Sequence, residues 1–369
     1  MASNAAYSRI AVVGTGGYGW HFLRALVGSK HFATVRAVTR STAGNKQEDE
    51  EKRLRNQELK SMGVQVVEYA DISVKAFEET FRDIDIVVSA VGVAGVADQI
   101  PMIDGAILAG VKWFIPSEYG VADYQSMWMP FSSPLAAKSL VRDHLFTVAK
   151  SKGLAHTIVY TGMALDYLDP RAIGLQLGKR TATLVGRGGT PATFTSIHDV
   201  VRLVVEIVKR PQEMQNRTIR FAGSTANMRD LIKVVTGSNR GEHLRIISID
   251  EAKERFFELA RSRNTKAFHV YARLLIEEGL AQINRCNEPL DNALFPTISP
   301  ESVHKTLERL MAKASAAAAA AAAGSGGLAD MKAAPVHRSD TAKSVTDGLG
   351  KSYKQGGPSV LSSSDSDTF

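Results

Sequence analysis

The sequence predicts an α/β protein: a doubly wound parallel sheet with a smaller α/β lobe beside it. Three observations carry this. A glycine-rich turn links a short apolar run to a helix-like run within residues 10–26. Short apolar runs and helical stretches then alternate to about residue 160. Beyond that point the pattern turns irregular, with short strands and helices suited to a lobe that walls a cleft. Strand alternating with helix implies parallel strands covered on both faces.

Residues 10–13 form the first strand, and Phe22, Leu23 and Leu26 mark the apolar face of the helix after the turn. Residues 35–39 read as the second strand and the mixed-charge stretch 46–60 as a solvated helix. A third strand at 64–69, a short helix at 74–81 and a strong fourth strand at 84–91 follow. A helix at 99–109 leads to a fifth strand at 112–116, stopped by Pro116. A helix near 136–150, with Leu140, Val141, Leu145 and Val148 as its apolar positions, precedes a strand at 157–160. In the second half, 181–185 and 192–196 flank Gly186, Gly188 and Gly189 and read as a hairpin or paired strands. Residues 199–209 form an amphipathic helix, with Asp199 beside His198 expected to cap it. A strand at 217–221, a helix at 227–236, two helical stretches within 249–279 and a last helix at 302–313 complete the pattern.

A chain of 369 residues, 44% hydrophobic and 22% charged, has the composition of a globular protein with a sizeable core. The expected units are 1–160, a dinucleotide-binding domain; 161–312, carrying the substrate-binding lobe; and 313–369, a tail. Eight alanines at 316–323 extend the last helix, and the Gly-, Ser- and Lys-rich remainder is expected to be disordered. The single cysteine, Cys286, excludes an intrachain disulfide, suits a reducing compartment and reads as a packing residue. No run of about 18 apolar residues appears, and residues 1–9 lack the apolar core of a secretory signal. A cytoplasmic location without a membrane partner is therefore expected. The net charge of +7 is spread along the chain, which argues for an anionic small ligand rather than nucleic acid. The nine histidines show no metal-ligand spacing, and no G-x-S-x-G nucleophile motif occurs.

Gly14, Gly16 and Gly19 fit G-x-G-x-x-G between a strand and a helix. Such a turn must be tight, must let backbone approach a pyrophosphate, and must present free helix N–H groups to it. Gly14, Thr15, Gly16, Gly17, Tyr18 and Gly19 are thus the expected pyrophosphate cradle. Arg40 stands just past the second strand, with Lys46 in reach and no carboxylate before Glu48. A basic residue there suits the 2′-phosphate of NADP(H) rather than the free hydroxyl of NAD. Ser89, Ala90, Val91 and Gly92 end the fourth strand, where small residues would let a nicotinamide ribose lie on the backbone. In WFIPSEYG (113–120), Glu118 and Tyr119 emerge at the same edge and are expected to face substrate. Lys138 lies early in its helix, where the dipole and desolvation both depress an ammonium pKa and suit it to proton transfer. Pro134 occupies the position four before it, so a Tyr-x-x-x-Lys pair is absent.

The runs KSMGVQVVEYADI, DIDIVVSAVG, DQIPMIDGAILAGVKWFIPSEYG and AAKSLVRDHL resemble the isoflavone reductase-like branch of the NmrA-like, atypical short-chain dehydrogenase family. That branch includes the phenylcoumaran benzylic ether reductases and many fungal oxidoreductases. TGMALDYL, TSIHDVVRLVV and NALFPTISPESVHKTLERLM extend the resemblance over about residues 8–312 and none of the tail. It implies a Rossmann-type fold, NADP(H) as cofactor and Lys138 as general acid or base. It further implies Gly162 and Met163 beside the nicotinamide and Tyr167 near substrate. There are departures. The family turn is usually G-x-x-G-x-x-G and is one residue shorter here, and Gly162 stands where plant members often carry Asn. The expected function is NADPH-dependent reduction of a small aromatic or conjugated molecule, by a monomer or homodimer. The alternative is a non-catalytic NADP(H)-sensing regulator; the retained lysine favours the enzyme.

Overall fold

The computed structural model describes residues 7–41, 46–121, 134–238, 243–262, 264, 266–284 and 288–323. Its strands are β1 (Arg9–Val13), β2 (Thr34–Arg40), β3 (Gln65–Tyr69), β4 (Ile86–Ser89), β5 (Trp113–Ile115), β6 (Ala155–Tyr160), β7 (Leu175–Gln176), β8 (Thr181–Val185), β9 (Pro191–Phe194), β10 (Arg217–Arg220), β11 (Ser224–Asn227) and β12 (Leu244–Ile247). Its helices are α1 (Gly17–Ser29), α2 (Lys46–Ser61), α3 (Val74–Thr80), α4 (Gln99–Leu108), α5 (Pro134–Lys152), α6 (Ile197–Val208), α7 (Pro211–Met214), α8 (Met228–Thr236), α9 (Ile249–Arg261), α10 (Lys266–Glu277) and α11 (Val303–Ala323).

Seven strands form one sheet in the order β10-β6-β5-β4-β1-β2-β3, every pairing parallel. This is a Rossmann-like α/β fold. Alternation of side chains along each strand divides the core between two faces. Ala11, Val13, Val87 and Phe114 pack with Phe77 of α3, Met102 and Ile103 of α4, and Val141 and Leu145 of α5. Ile10, Val12, Val88 and Trp113 pack on the other face with Phe22, Leu23 and Leu26 of α1 and with Val200, Leu203 and Val204 of α6. Each of these fully buried large side chains contributes on the order of 1.5–3 kcal/mol. The chain runs outward from β1 to β2 and β3, then returns to β4 on the other side of β1. The carboxyl end of β1 therefore lies at the switch point where such sheets bind ligands.

Several expectations change. The sheet does not close at residue 160: β10 adds beyond β6, with Arg217 opposite Thr157 and Arg220 opposite Tyr160. The expected hairpin at 181–196 is not formed. β8 pairs with β7 and β12, whereas β9 pairs with β11. Gly186 and Gly188 take φ of 65° and 67°, and the Glu277 carboxylate accepts the Arg187 and Gly188 N–H groups at 2.7 and 2.9 Å. That anchored five-residue connection turns the chain away, where a two-residue turn would have folded it back. Asp199 does not cap α6. Ser196 is the N-cap, its hydroxyl accepting the Asp199 N–H, while the Asp199 carboxylate takes the Ser196 hydroxyl and the Glu301 N–H. Leu140 is exposed; the buried stripe of α5 is Leu135, Val141, Leu145 and Ala149, with Val148 partly buried against it. The alanines do extend the last helix, to Ala323. Cys286 and residues 324–369 lie outside the described residues. Among the described residues, no helix is long and apolar enough to cross a membrane.

Candidate functional site

The turn after β1 is held by backbone. The Gly14 N–H donates to the Val38 carbonyl and the Ala90 N–H to the Val13 carbonyl, both at 2.8 Å, so β1, β2 and β4 meet there. Gly14 has φ 102°, and a Cβ on it would stand 2.7 Å from the Ala90 oxygen. A Cβ on Gly19 would stand 2.0 Å from the Gly14 oxygen. Real Cβ atoms do not approach that closely, so α1 can start this near the strand only with glycine at both places. Gly16 is the extended N-cap of α1; no side chain caps it and no acidic residue lies in the first turn. The helix end thus keeps its positive character. Thr15 is buried and shares a 3.2 Å hydrogen bond with Thr39.

An aromatic cluster covers the turn. Tyr18 packs on Tyr167 at 4.6 Å, on Tyr119 at 5.5 Å and on Phe22 at 5.7 Å between ring centroids. The Tyr167 ring lies directly over Gly17, where a Cβ would meet it at 2.5 Å. Burial pushes the Tyr18 and Tyr119 phenols well above their ordinary range. The buried Tyr119 hydroxyl has no hydrogen-bond partner among the described residues, and neither has the fully buried Ser89 hydroxyl at the end of β4.

Arg40 ends β2 with its side chain 52% exposed, and its guanidinium lies 3.3 Å from the Asp98 carboxylate. The Lys52 ammonium donates to the Arg40 carbonyl. Lys46 opens α2, but its side chain lies outside the described residues. Past β4, the Val91 carbonyl accepts the Ser117 hydroxyl at 2.9 Å and Gly92 caps a short 3-10 turn. Buried Gln99 accepts the Ser117 N–H and donates to the Val96 carbonyl, tying the ends of β4 and β5 together.

Lys138 is the fifth residue of α5, two residues further in than a start near 136 would place it, so the helix dipole acts on it less. Burial is what depresses its pKa, while Glu118 opposes that and Arg142 adds to it. Its ammonium donates to the Glu118 carbonyl at 2.6 Å and stands 3.9 Å from the Glu118 carboxylate. The Lys138 side chain is 12% exposed and that of Glu118 only 1%. Tyr160, at the end of β6, accepts from Arg142 at 2.9 Å, and burial followed by the Glu118 charge pushes its phenol up to about 12. Gly162 has φ 70°, with the Thr193 oxygen 2.3 Å from where a Cβ would be. The Met163 N–H donates to that same oxygen.

Most of the expected site residues thus fall into three groups at the carboxyl ends of the strands: the glycine turn with Tyr119 and Tyr167, Arg40 with Asp98, and Lys138 with Glu118; Ser89 to Gly92 run on from the end of β4, and Gly162 and Met163 follow β6. Tyr119 joins the first group to the third, since its ring meets Tyr18 while its neighbour Glu118 meets Lys138. Glu118 lies turned into the protein beside Lys138.

Residues 6–271 match the NmrA-like family. The chain belongs to that family. It is 27% identical to isoflavone reductase homolog P3 of Arabidopsis thaliana over 237 residues, 61% of this chain and 73% of that one. It is also 27% identical to phenylcoumaran benzylic ether reductase IRL1 of Ginkgo biloba, over 61% of this chain and 73% of the relative. Among solved structures, leucoanthocyanidin reductase of Vitis vinifera in binary complex with NADPH superposes with a TM-score of 0.67. That likeness covers 83% of this chain and all of the other at 19% identity, and bears on the fold.

The residues of this NmrA-like chain fit a dinucleotide. A Cβ at Gly14, Gly17 or Gly19 would meet the Ala90 oxygen, the Tyr167 ring or the Gly14 oxygen, so the turn keeps its close course and its free helix end only with glycine there, and the buried hydroxyls of Ser89 and Tyr119 are left to bond something else. Among the described residues no group of three or more His, Cys, Asp or Glu side chains is placed to hold a metal ion. Sequence reasoning missed Asp98, Gln99, Arg142 and Tyr160. Tyr160 ends a strand, and strand ends face the crevice, so that signal was present. Gln99 and Asp98 carried none, because their partners are 18 and 58 residues away.

Proposed function

We propose that this NmrA-like protein is an NADP(H)-dependent oxidoreductase that reduces a small aromatic or conjugated molecule. A buried lysine held at Glu118, whose chain neighbour Tyr119 packs on Tyr18 of the glycine-rich turn, supports this reading most. Relatives named as reductases add support, as does a structural neighbour solved with NADPH. In this reading Gly14, Thr15, Gly16, Gly17, Tyr18 and Gly19 hold the pyrophosphate against the start of α1. Arg40 and Lys46 take the 2′-phosphate, and Ser89, Ala90, Val91, Gly92, Gly162 and Met163 line the nicotinamide side. The bound nicotinamide supplies the hydride. Lys138 gives or takes the proton at Nζ; Glu118 holds that nitrogen in place and favours its charged form. Tyr119 and Tyr167 exclude water above the turn and offer ring faces to an aromatic substrate.

NADPH oxidation by the wild type and Lys138→Ala, across a panel of aromatic and enone substrates, tests this. The wild type should turn over at least one substrate class. Lys138→Ala should lose about 10²- to 10⁴-fold in turnover, the worth of a positioned acid or base, with NADPH affinity kept within a few-fold. Unchanged turnover in the variant would remove Lys138 from the chemistry. Tight, redox-selective binding of NADP(H) by the wild type without any turnover would make the protein a sensor instead.

A further inference from the structure

Asp98 occupies the N-cap position of α4, yet its carboxylate makes no bond to that helix. Its backbone there is already helical (φ −63°, ψ −13°) rather than extended, so the side chain is not placed to accept an N–H of its own first turn. Here the carboxylate is spent on Arg40, 58 residues earlier, with 3.3 Å between Oδ2 and the guanidinium. The two residues come from opposite sides of β1. Arg40 ends β2, Asp98 follows β4, and β1 with its glycine turn lies between those strands. The ion pair therefore spans the crevice at the switch point. Asp98 is only 20% exposed, and its burial pushes the carboxyl pKa up, with Arg40 opposing. Such a carboxylate depends on a cationic partner for the solvation it has lost, and among the described residues Arg40 is the cation that opposes the effect of its burial. The guanidinium fork that meets this carboxylate is the same fork a phosphate would take, because carboxylate and phosphate are alternative partners of arginine.

We propose that Asp98 is a built-in competitor for the 2′-phosphate of NADP(H). It holds Arg40 across the crevice when no dinucleotide is bound, and it yields the guanidinium to the incoming phosphate. This rests on Arg40 being the 2′-phosphate contact. Asp98 then sets how tightly the phosphorylated dinucleotide binds, since every binding event exchanges one anion for another at Arg40. It has no such effect on a ligand without the 2′-phosphate, which has nothing to exchange.

Calorimetry with 2′,5′-ADP and 5′-AMP on wild type, Arg40→Ala, Asp98→Asn and Asp98→Ser tests the two layers separately. Wild type should prefer 2′,5′-ADP, and Arg40→Ala should lose that preference. Both Asp98 variants should bind 2′,5′-ADP roughly two- to fivefold more tightly, the scale of one partly exposed ion pair, and should leave 5′-AMP binding unchanged within error. Melting curves of the free variants confirm that both fold. If wild type shows no preference, or Arg40→Ala retains it, the Arg40 assignment falls and the competitor with it. If the preference depends on Arg40 but the Asp98 variants bind 2′,5′-ADP equally or more weakly, Asp98 orients Arg40 for the phosphate and the competitor role is overturned alone.

Discussion

Lys138 carries two opposed influences that a single substitution separates. Burial disfavours its charged form, and the carboxylate of Glu118, 3.9 Å away, favours it. Glu118→Gln keeps the shape and the backbone carbonyl that Lys138 bonds, but removes the charge. The Lys138 pKa, already below its ordinary value of 10.5, should then fall further. A lysine whose pKa drops loses its proton at lower pH. The limb of the turnover profile that belongs to Lys138 should accordingly move to lower pH in the variant, with NADPH affinity preserved. The profile of turnover against pH, measured on any substrate the panel provides, checks this. A limb that stays in place, or moves to higher pH, would mean that Glu118 does not set the charge of Lys138.

At the scale of elements, Gly19 sets two forces against each other. It sits inside the first turn of α1, where alanine is intrinsically favoured over glycine by about 1 kcal/mol. Yet its Cα lies so near the Gly14 carbonyl that a Cβ would come within 2.0 Å of that oxygen. Forcing extra atoms into packed backbone costs about 1–3 kcal/mol, which outweighs the propensity gain. Gly19→Ala should therefore lower the melting temperature and weaken NADPH binding at least about tenfold. A variant of higher stability and equal affinity would show that α1 does not need its close start. The glycine turn was legible in the sequence because its constraint is local: strand, glycines and helix are contiguous. The alternation that builds β1 to β6 was legible for the same reason. What lay hidden depends on long-range pairing. The 181–196 stretch reads as a hairpin until Glu277, some ninety residues on, anchors its turn. β10 was readable as a strand, but its place beside β6 follows from packing alone. The Lys138 position was legible through resemblance, whereas its pairing with Glu118 and the pairing of Arg40 with Asp98 join segments 20 and 58 residues apart.

At the scale of the molecule, the candidate site lies where both layers of the core converge. β1 carries Ile10 and Val12 into one cluster and Ala11 and Val13 into the other, and the glycine turn is its direct continuation. Gly14 and Ala90 tie that turn by backbone to β2 and β4, and Met163 ties the far side of the site to β9 through the Thr193 carbonyl. A ligand seated here contacts segments that must separate when the protein unfolds, so it should stabilise the fold as a whole. At a free concentration of 100 times its dissociation constant, a ligand of the native state adds about 2.7 kcal/mol. NADPH should thus raise the melting temperature by several degrees, and the shift should grow with the logarithm of its concentration. NADH at equal concentration should do much less, because a charge-assisted contact from Arg40 to the 2′-phosphate is worth about 1.5–3 kcal/mol. Arg40→Ala should bring the two shifts together by reducing that of NADPH. Thermal melts across a concentration series of both dinucleotides, on wild type and variant, read this directly. Equal shifts by NADH and NADPH on the wild type would remove the 2′-phosphate, and Arg40 with it, from cofactor choice.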